Sequence, residues 1–217
     1  MTSRTVPITE QLHDYLVAHG SAPDQVTRDL YAETRSVLPD DAEMQVSPEQ
    51  AGLLTFLTRL IGARTAVEVG TFTGTSALAI ARGLPPDGRL ICCDVSEEYT
   101  SIARRYWRLA GVEDRIDLRI APALDTLRAL PTEPHVDLAF IDADKIGYPA
   151  YWAELVPRMR PGGVIGVDNV FRGGRVIAPA SEADRVIADF NDAVNRDDRV
   201  EAVMLPIADG MTLARRR

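Results

Sequence analysis

Thr65-Ala-Val-Glu-Val-Gly-Thr-Phe-Thr-Gly-Thr-Ser76 decides the fold: a short apolar run turns at two glycines, Gly70 and Gly74, into a segment that reads as helix. In a doubly wound sheet, the turn after a first strand is where a nucleotide-like ligand meets backbone; elsewhere such a turn serves packing alone. The same alternation repeats downstream. Arg89-Leu-Ile-Cys-Cys93, Ile116-Asp-Leu-Arg-Ile120, Val136-Asp-Leu-Ala-Phe-Ile141 and Gly163-Val-Ile-Gly-Val167 read as strands, separated by segments long enough for crossover helices. That rhythm predicts an α/β chain with a mainly parallel sheet. The tail departs from it: Val200 to Leu205 and Met211 to Arg215 are strand-like and joined by Pro206-Ile-Ala-Asp-Gly210, too short for a helix, so a hairpin is expected.

Upstream, residues 9–38 show helical spacing interrupted at Gly20-Ser21-Ala22-Pro23. Ser47-Pro48-Glu49-Gln50 then combines an N-cap, a proline at the first helical position and a glutamine at the capping-box position, predicting a helix over 48–61. The expected organisation is a helical arm over 1–40 and a main unit over 41–217, together one globular domain.

Composition narrows the function classes. The 217 residues are 46% apolar and 26% charged, and no apolar run approaches the roughly 18 residues of a membrane span. A formal charge of -8, with one dense basic run at Arg215-Arg216-Arg217, makes nucleic acid a poor partner. Met-Thr-Ser-Arg-Thr-Val-Pro at the start has no apolar region behind its arginine, so an export signal is not expected and the cytoplasm is. The two cysteines, Cys92 and Cys93, are adjacent on one strand and point to opposite faces, which disfavours a disulfide. His13, His19 and His135 have no spacing that gathers a metal on one face.

Three constellations carry chemistry. A dinucleotide fingerprint would need glycine at 70, 72 and 75, but positions 72 and 75 are Phe and Thr, which disfavours pyrophosphate and a nicotinamide oxidoreductase. Glu68, on the strand leading into the turn, would repel phosphate and attract an ammonium. Asp94 ends the second strand 24 residues after Gly70, where an acid accepts from a ribose diol; the alternative is a cap for the helix beginning near Ser96. A nucleoside carrying an ammonium and no phosphates describes S-adenosylmethionine. At the ends of the fourth and fifth strands lie Asp142, Asp144 and the pair Asp168-Asn169. Oxygens of Asp142, Asp168 and Asn169 make a hard donor set suited to Mg²⁺, or to Ca²⁺ or Mn²⁺. Beside them is Lys145, the only lysine among 24 basic residues, and lysine, unlike arginine, can lose its proton and act as a base.

These residues resemble the cation-dependent O-methyltransferases of the caffeoyl-CoA type, and more distantly catechol O-methyltransferase. The resemblance rests on Met44-Gln-Val-Ser-Pro-Glu49, Val67 through Ser76, Arg119 through Leu124, Ile141-Asp-Ala-Asp-Lys145, Gly162 through Asn169 and Ala208-Asp-Gly-Met-Thr212. It implies a Rossmann-like class I methyltransferase sheet of seven strands, six parallel and one antiparallel, with helices on both faces. Carried over by position, it implies cofactor contacts at Val46, Glu68, Gly70, Ser76, Asp94, Ala123 and Asp144, metal ligands at Asp142, Asp168 and Asn169, and Lys145 as base. It also implies a phenolic vicinal-diol acceptor and a homodimer. The chain departs from the plant pattern at Val170-Phe-Arg-Gly-Gly174, which puts Arg172 at the substrate rim and points to a catechol rather than a coenzyme A ester.

Overall fold

The computed structural model describes residues 6–20 and 22–217. The first five positions, within the stretch read above as lacking an export signal, and Ser21, in the break between two helices, lie outside the described residues. Seven strands form one sheet: β1 (Thr65–Val69), β2 (Arg89–Asp94), β3 (Ile116–Ile120), β4 (Val136–Ile141), β5 (Met159–Asp168), β6 (Val200–Leu205) and β7 (Met211–Arg216), in the order β3-β2-β1-β4-β5-β7-β6. β7 is antiparallel to β5 and β6, and the remaining pairings are parallel. Six strands therefore share one direction and the hairpin supplies the seventh. The chain moves outward from β1 to β3, then returns to β4 on the other side of β1, so the carboxyl ends of β1 and β4 flank a switch in strand order.

Among the described residues eight α-helices accompany the sheet: α1 (Glu10–His19), α2 (Gln25–Val37), α3 (Pro48–Leu60), α4 (Thr75–Gly83), α5 (Glu97–Leu109), α6 (Ala123–Ala129), α7 (Tyr148–Arg158) and α8 (Glu182–Arg196). The two-residue period of the strands assigns their side chains to two layers. Ala66, Leu90, Leu138 and Phe140 join Leu54 of α3, Ile80 of α4 and Trp107 of α5 in one cluster. Val67, Val69, Ala139 and Ile141 join Leu127 of α6, Leu155 of α7 and Phe190 of α8 in the other. Burial on both faces explains why β4 reads as a continuous apolar run around its single acid, Asp137. Both cysteines are free and buried.

The arm is fastened rather than loosely laid on. Leu30 of α2 is fully buried in the first cluster, and the Tyr31 hydroxyl donates to the Val46 carbonyl at 2.8 Å. The α1 helix buries no residue and meets α3 where His13 Nε2 lies 3.2 Å from Glu49 Oε1. The capping box at the start of α3 forms as its sequence requires: the Ser47 hydroxyl accepts from the Gln50 N–H and Gln50 Oε1 accepts from the Ser47 N–H. Among the described residues no helix is long and apolar enough to cross a membrane.

One strand is longer than expected. β5 begins at Met159 rather than Gly163, because the pairing shifts register: Val136 pairs with Met159, but Leu138 pairs with Val164. The extra residues of β5 bulge, and Asp137 opposite them takes the Arg160 guanidinium.

Candidate active site

A cavity of about 1010 Å³ opens over the carboxyl ends of β1, β2, β4 and β5. That volume stands at the top of the range for small-molecule sites, roughly 300 to 1,000 Å³. Ten of the eleven residues singled out from the sequence line it: Val46, Gly70, Ser76, Asp94, Ala123, Asp142, Asp144, Lys145, Asp168 and Asn169. Glu68 does not. It lies fully buried beneath the β1–α4 turn, where the Thr71 hydroxyl donates to its Oε2 at 2.9 Å and its Oε1 has no hydrogen-bond partner among the described residues.

The turn is held by sterics and by one carboxylate. Gly70 has φ +90°, and a Cβ there would sit 1.8 Å from the Asp142 carbonyl oxygen, so only glycine lets β1 leave the sheet against the end of β4. Asp94 Oδ2 accepts from the N–H groups of Thr71 and Phe72 at 2.9 and 2.8 Å, and its Oδ1 accepts from the Ser96 N–H at 2.8 Å. The cap of α5 is Ser96 itself, whose hydroxyl accepts from the Tyr99 N–H, so Asp94 anchors the turn instead of capping that helix. Among the described residues four non-glycine positions adopt left-handed backbone, Phe72, Asn169, Arg172 and Ala208, and all four line this cavity. Such conformations cost roughly 1 to 3 kcal/mol each and concentrate where ligands are gripped.

On the β4 and β5 side of the cavity the acids and the lysine meet. Lys145 Nζ donates to Asp142 Oδ1 at 3.0 Å and to the Tyr148 hydroxyl at 2.7 Å. Asp168 Oδ1 accepts from Gln50 Nε2 at 2.8 Å and from the Asn169 N–H at 2.7 Å, while no described residue donates to its Oδ2. Burial, reinforced by the charge of Asp142, pushes the Asp168 carboxyl up to about 7. Asp144 caps the short turn before α7, accepting from the Gly147 N–H at 2.8 Å and from the Tyr151 hydroxyl. Burial likewise drives Glu68 up to about 7. Among the described residues no three His, Cys, Asp or Glu side chains gather as a metal cluster, so a metal would rest on the two aspartates and the Asn169 amide. That set fits a hard cation: Asp168 is buried beside the charge of the half-buried Asp142, and Lys145 sets only a single positive charge against the two.

Gln50, Tyr148 and Tyr151 belong to the site and were not singled out from the sequence. Gln50 reads there only as a capping residue, 118 positions from its partner Asp168. The tyrosines carried a readable signal: Lys145, Tyr148 and Tyr151 recur every three residues, a spacing that stacks side chains on one face of a helical stretch.

A doubly wound seven-stranded sheet whose first turn is glycine-bearing without being a dinucleotide fingerprint, with an acid closing β2, defines a class I methyltransferase. The comparisons with known proteins refine this. The O-methyltransferase family pattern matches residues 19–217, and the chain belongs to that family. It is 35% identical over 214 residues to "Probable caffeoyl-CoA O-methyltransferase 1" of Dictyostelium discoideum, covering 96% of this chain and 93% of the relative. It is 38% identical over 213 residues to "Catechol O-methyltransferase domain-containing protein 1" of Mus musculus, covering 96% and 80%. The crystal structure of the O-methyltransferase from Bacillus cereus in complex with SAH superposes with a TM-score of 0.86 at 32% identity, covering 95% of this chain and 97% of that one. The protein is an S-adenosylmethionine-dependent O-methyltransferase.

Proposed function

We propose that the protein transfers a methyl group from S-adenosylmethionine to one hydroxyl of a catechol-type vicinal diol, and that the transfer depends on a divalent metal, Mg²⁺ or else Ca²⁺ or Mn²⁺. The observation that carries this reading is the junction of Lys145 with Asp142 beside Asp168 and Asn169, in the same cavity as the Gly70 turn and Asp94. The name of the mouse relative supports the catechol, and the SAH bound to the Bacillus protein supports the donor.

In this mechanism Asp94 accepts from the ribose diol with the carboxylate capacity its three backbone donors leave. Glu68 provides the negative charge beneath the turn for the methionyl ammonium, with Val46, Gly70, Ser76, Ala123 and Asp144 shaping the rest of the cofactor's bed. Asp142, Asp168 and Asn169 would hold the metal, which when bound supplies positive charge that acidifies the diol. Lys145 Nζ, in its neutral amine form, takes the hydroxyl proton and becomes the ammonium, and the resulting phenolate attacks the sulfonium methyl carbon. The methyl–sulfur bond breaks as the methyl–oxygen bond forms, leaving S-adenosylhomocysteine. Fixing donor and acceptor in one enclosed cavity removes much of the entropic barrier of a two-substrate reaction.

We further infer a cytoplasmic homodimer acting on small molecules rather than nucleic acid. Tyr15 and Leu16 on α1 and Phe56 and Leu60 on α3 are exposed apolar side chains that suit such an interface, and the charge of -8 disfavours a nucleic-acid partner. The test is a panel of catechols and monophenols with labelled methyl donor, run after exhaustive metal removal and again with added Mg²⁺. Turnover of diols restored by Mg²⁺ is the expected result; equal turnover in excess chelator would overturn the metal, and methylation of monophenols alone would overturn the diol.

A further inference from the structure

Arg172 is a cation without a settled partner at the acceptor end of the cavity. It stands three residues beyond Asn169, and its N–H donates to the Asn169 carbonyl at 3.3 Å, which closes a tight turn and sets the two side by side. The turn is tied down on its far side by the N–H groups of Val170 and Phe171, which donate to the carbonyls of Gly210 and Asp209. Arg172 itself holds a φ of +52° and opens a left-handed run that the two following glycines continue at φ +61° and +83°. A bulky residue kept in that conformation at a ligand cavity marks a side chain whose placement matters.

The charges around it do not balance. Its Nε lies 3.4 Å from Asp184 Oδ1, an ion pair without a hydrogen bond, and among the described residues its guanidinium donates no hydrogen bond at all. Asp184 is already engaged: its Oδ1 accepts from Arg175 Nε at 3.2 Å and its Oδ2 from the Ser181 N–H at 3.2 Å. One carboxylate thus faces two guanidinium groups. Five of the six carboxylates that line the cavity have other donors: Asp94 has three backbone N–H groups, Asp142 has Lys145, Asp144 has Tyr151, Asp168 has Gln50 and Asp209 has the Gly173 N–H, while Glu43 has none among the described residues. Arg172 is also close enough to the reacting end for its charge to act on Tyr148, where burial holds the hydroxyl's pKa high and Arg172 opposes it.

We propose that Arg172 forms an anion subsite at the acceptor end of the cavity, selecting phenolic acceptors that carry a carboxylate. The planar guanidinium fork matches a carboxylate with two parallel hydrogen bonds, which a lysine or a neutral side chain cannot reproduce. This rests on the methyl-acceptor reading of the cavity given above, and the test separates the two.

Two isosteric pairs serve as probes: 3,4-dihydroxybenzoate with 3,4-dihydroxybenzamide, and 4-hydroxybenzoate with 4-hydroxybenzamide. Their binding to the protein loaded with S-adenosylhomocysteine and Mg²⁺ is measured by calorimetry, and methylation of each is measured separately. In the wild type each acid should bind about ten- to a hundredfold more tightly than its amide, the range for hydrogen bonds to a charged group. In Arg172→Gln that preference should vanish, and in Arg172→Lys it should survive in part. Thermal unfolding shows whether each variant is folded; the wild-type comparison and the Lys variant decide the matter if the Gln variant is not. Equal affinity for acid and amide in the wild type, or an undiminished preference in a folded Gln variant, overturns the subsite. Acid preference in both pairs without methylation of either diol sustains the subsite and overturns the catechol reading instead.

Discussion

Lys145 Nζ donates to the Tyr148 hydroxyl at 2.7 Å, and that hydroxyl donates in turn to the Asp168 carbonyl at 3.2 Å. The proposed base is thereby tethered, through a fully buried ring, to the strand end that carries the proposed metal ligands. Tyr148→Phe keeps the ring and removes the tether. A lost neutral hydrogen bond is worth about 0.5 to 1.5 kcal/mol, so kcat should fall roughly two- to tenfold while the dissociation constant of S-adenosylmethionine holds. An unchanged kcat in stopped assays would mean that Asp142 alone positions the lysine.

Asp94 supports two separable measurements, because its carboxylate both accepts three backbone N–H groups and is assigned to the ribose diol. Asp94→Ala should lower the stability of the cofactor-free protein by roughly 1 to 3 kcal/mol, since three part-buried donors lose their acceptor. It should also weaken S-adenosylmethionine binding about tenfold or more. A stability loss by urea denaturation with calorimetric affinity unchanged would leave Asp94 as an anchor of the turn only.

Gly70 makes the steric argument testable. With φ +90° and a Cβ position 1.8 Å from the Asp142 carbonyl oxygen, Gly70→Ala must displace the end of β4. A loss of at least about 3 kcal/mol is expected, lowering Tm by roughly 10 °C in a protein of this size. Gly52, in the middle of α3 with nothing within 4 Å of its Cβ position, is the control. Gly52→Ala should stabilise by about 0.4 to 1 kcal/mol, because alanine suits a helix and loses less freedom on folding.

Much of this architecture is legible in the sequence, and the gaps have physical causes. Val67, Val69 and the run Val136 to Ile141 announce buried parallel strands by composition alone, and Ser47 with Gln50 announces the helix that follows them. The ten cavity-lining residues among those singled out could be found because each falls at a strand end or in the turn after it, and a parallel sheet brings those ends together. Gln50 on Asp168 escaped because a capping residue looks the same whether or not it reaches a site, whereas Tyr148 and Tyr151 were legible in their three-residue spacing from Lys145. The extension of β5 escaped because Pro161-Gly162-Gly163 reads as a turn, and only pairing across a bulge makes it strand. Phe72 is the converse case: a left-handed position filled without glycine, tolerable because Asp94 holds its N–H.

Glu68 gives a pH dependence with a definite sign. Burial raises its carboxyl from 4.5 to about 7, so between those values the folded chain retains a proton that the unfolded chain has released. Its contribution to stability is therefore complete below about pH 4.5, declines as pH rises and is gone above about 7, a change on the order of 3 kcal/mol. Glu68→Gln cannot titrate. In the cofactor-free state the variant should gain on the wild type from pH 5 to pH 8 by urea denaturation, while binding S-adenosylmethionine less tightly. Parallel stability curves for the two proteins would show that Glu68 does not titrate in this range.

Lys145 raises the question of whether it is a base or only a positive charge that steadies Asp142, which its Nζ meets at 3.0 Å. Lys145→Arg separates the two roles. The guanidinium keeps the charge and can still reach Asp142, but with a pKa above about 12 it cannot give up its proton near neutrality. General-base contributions are typically about 10²- to 10⁴-fold, so kcat should fall by that order at neutral pH, with Tm and cofactor affinity little changed. The deficit should also shrink along a series of catechols bearing electron-withdrawing groups, because a more acidic hydroxyl ionises without help. Raising the pH should have the same effect. If the Arg variant turns over near the wild-type rate across that series, Lys145 contributes charge alone, and the proton must leave by another route.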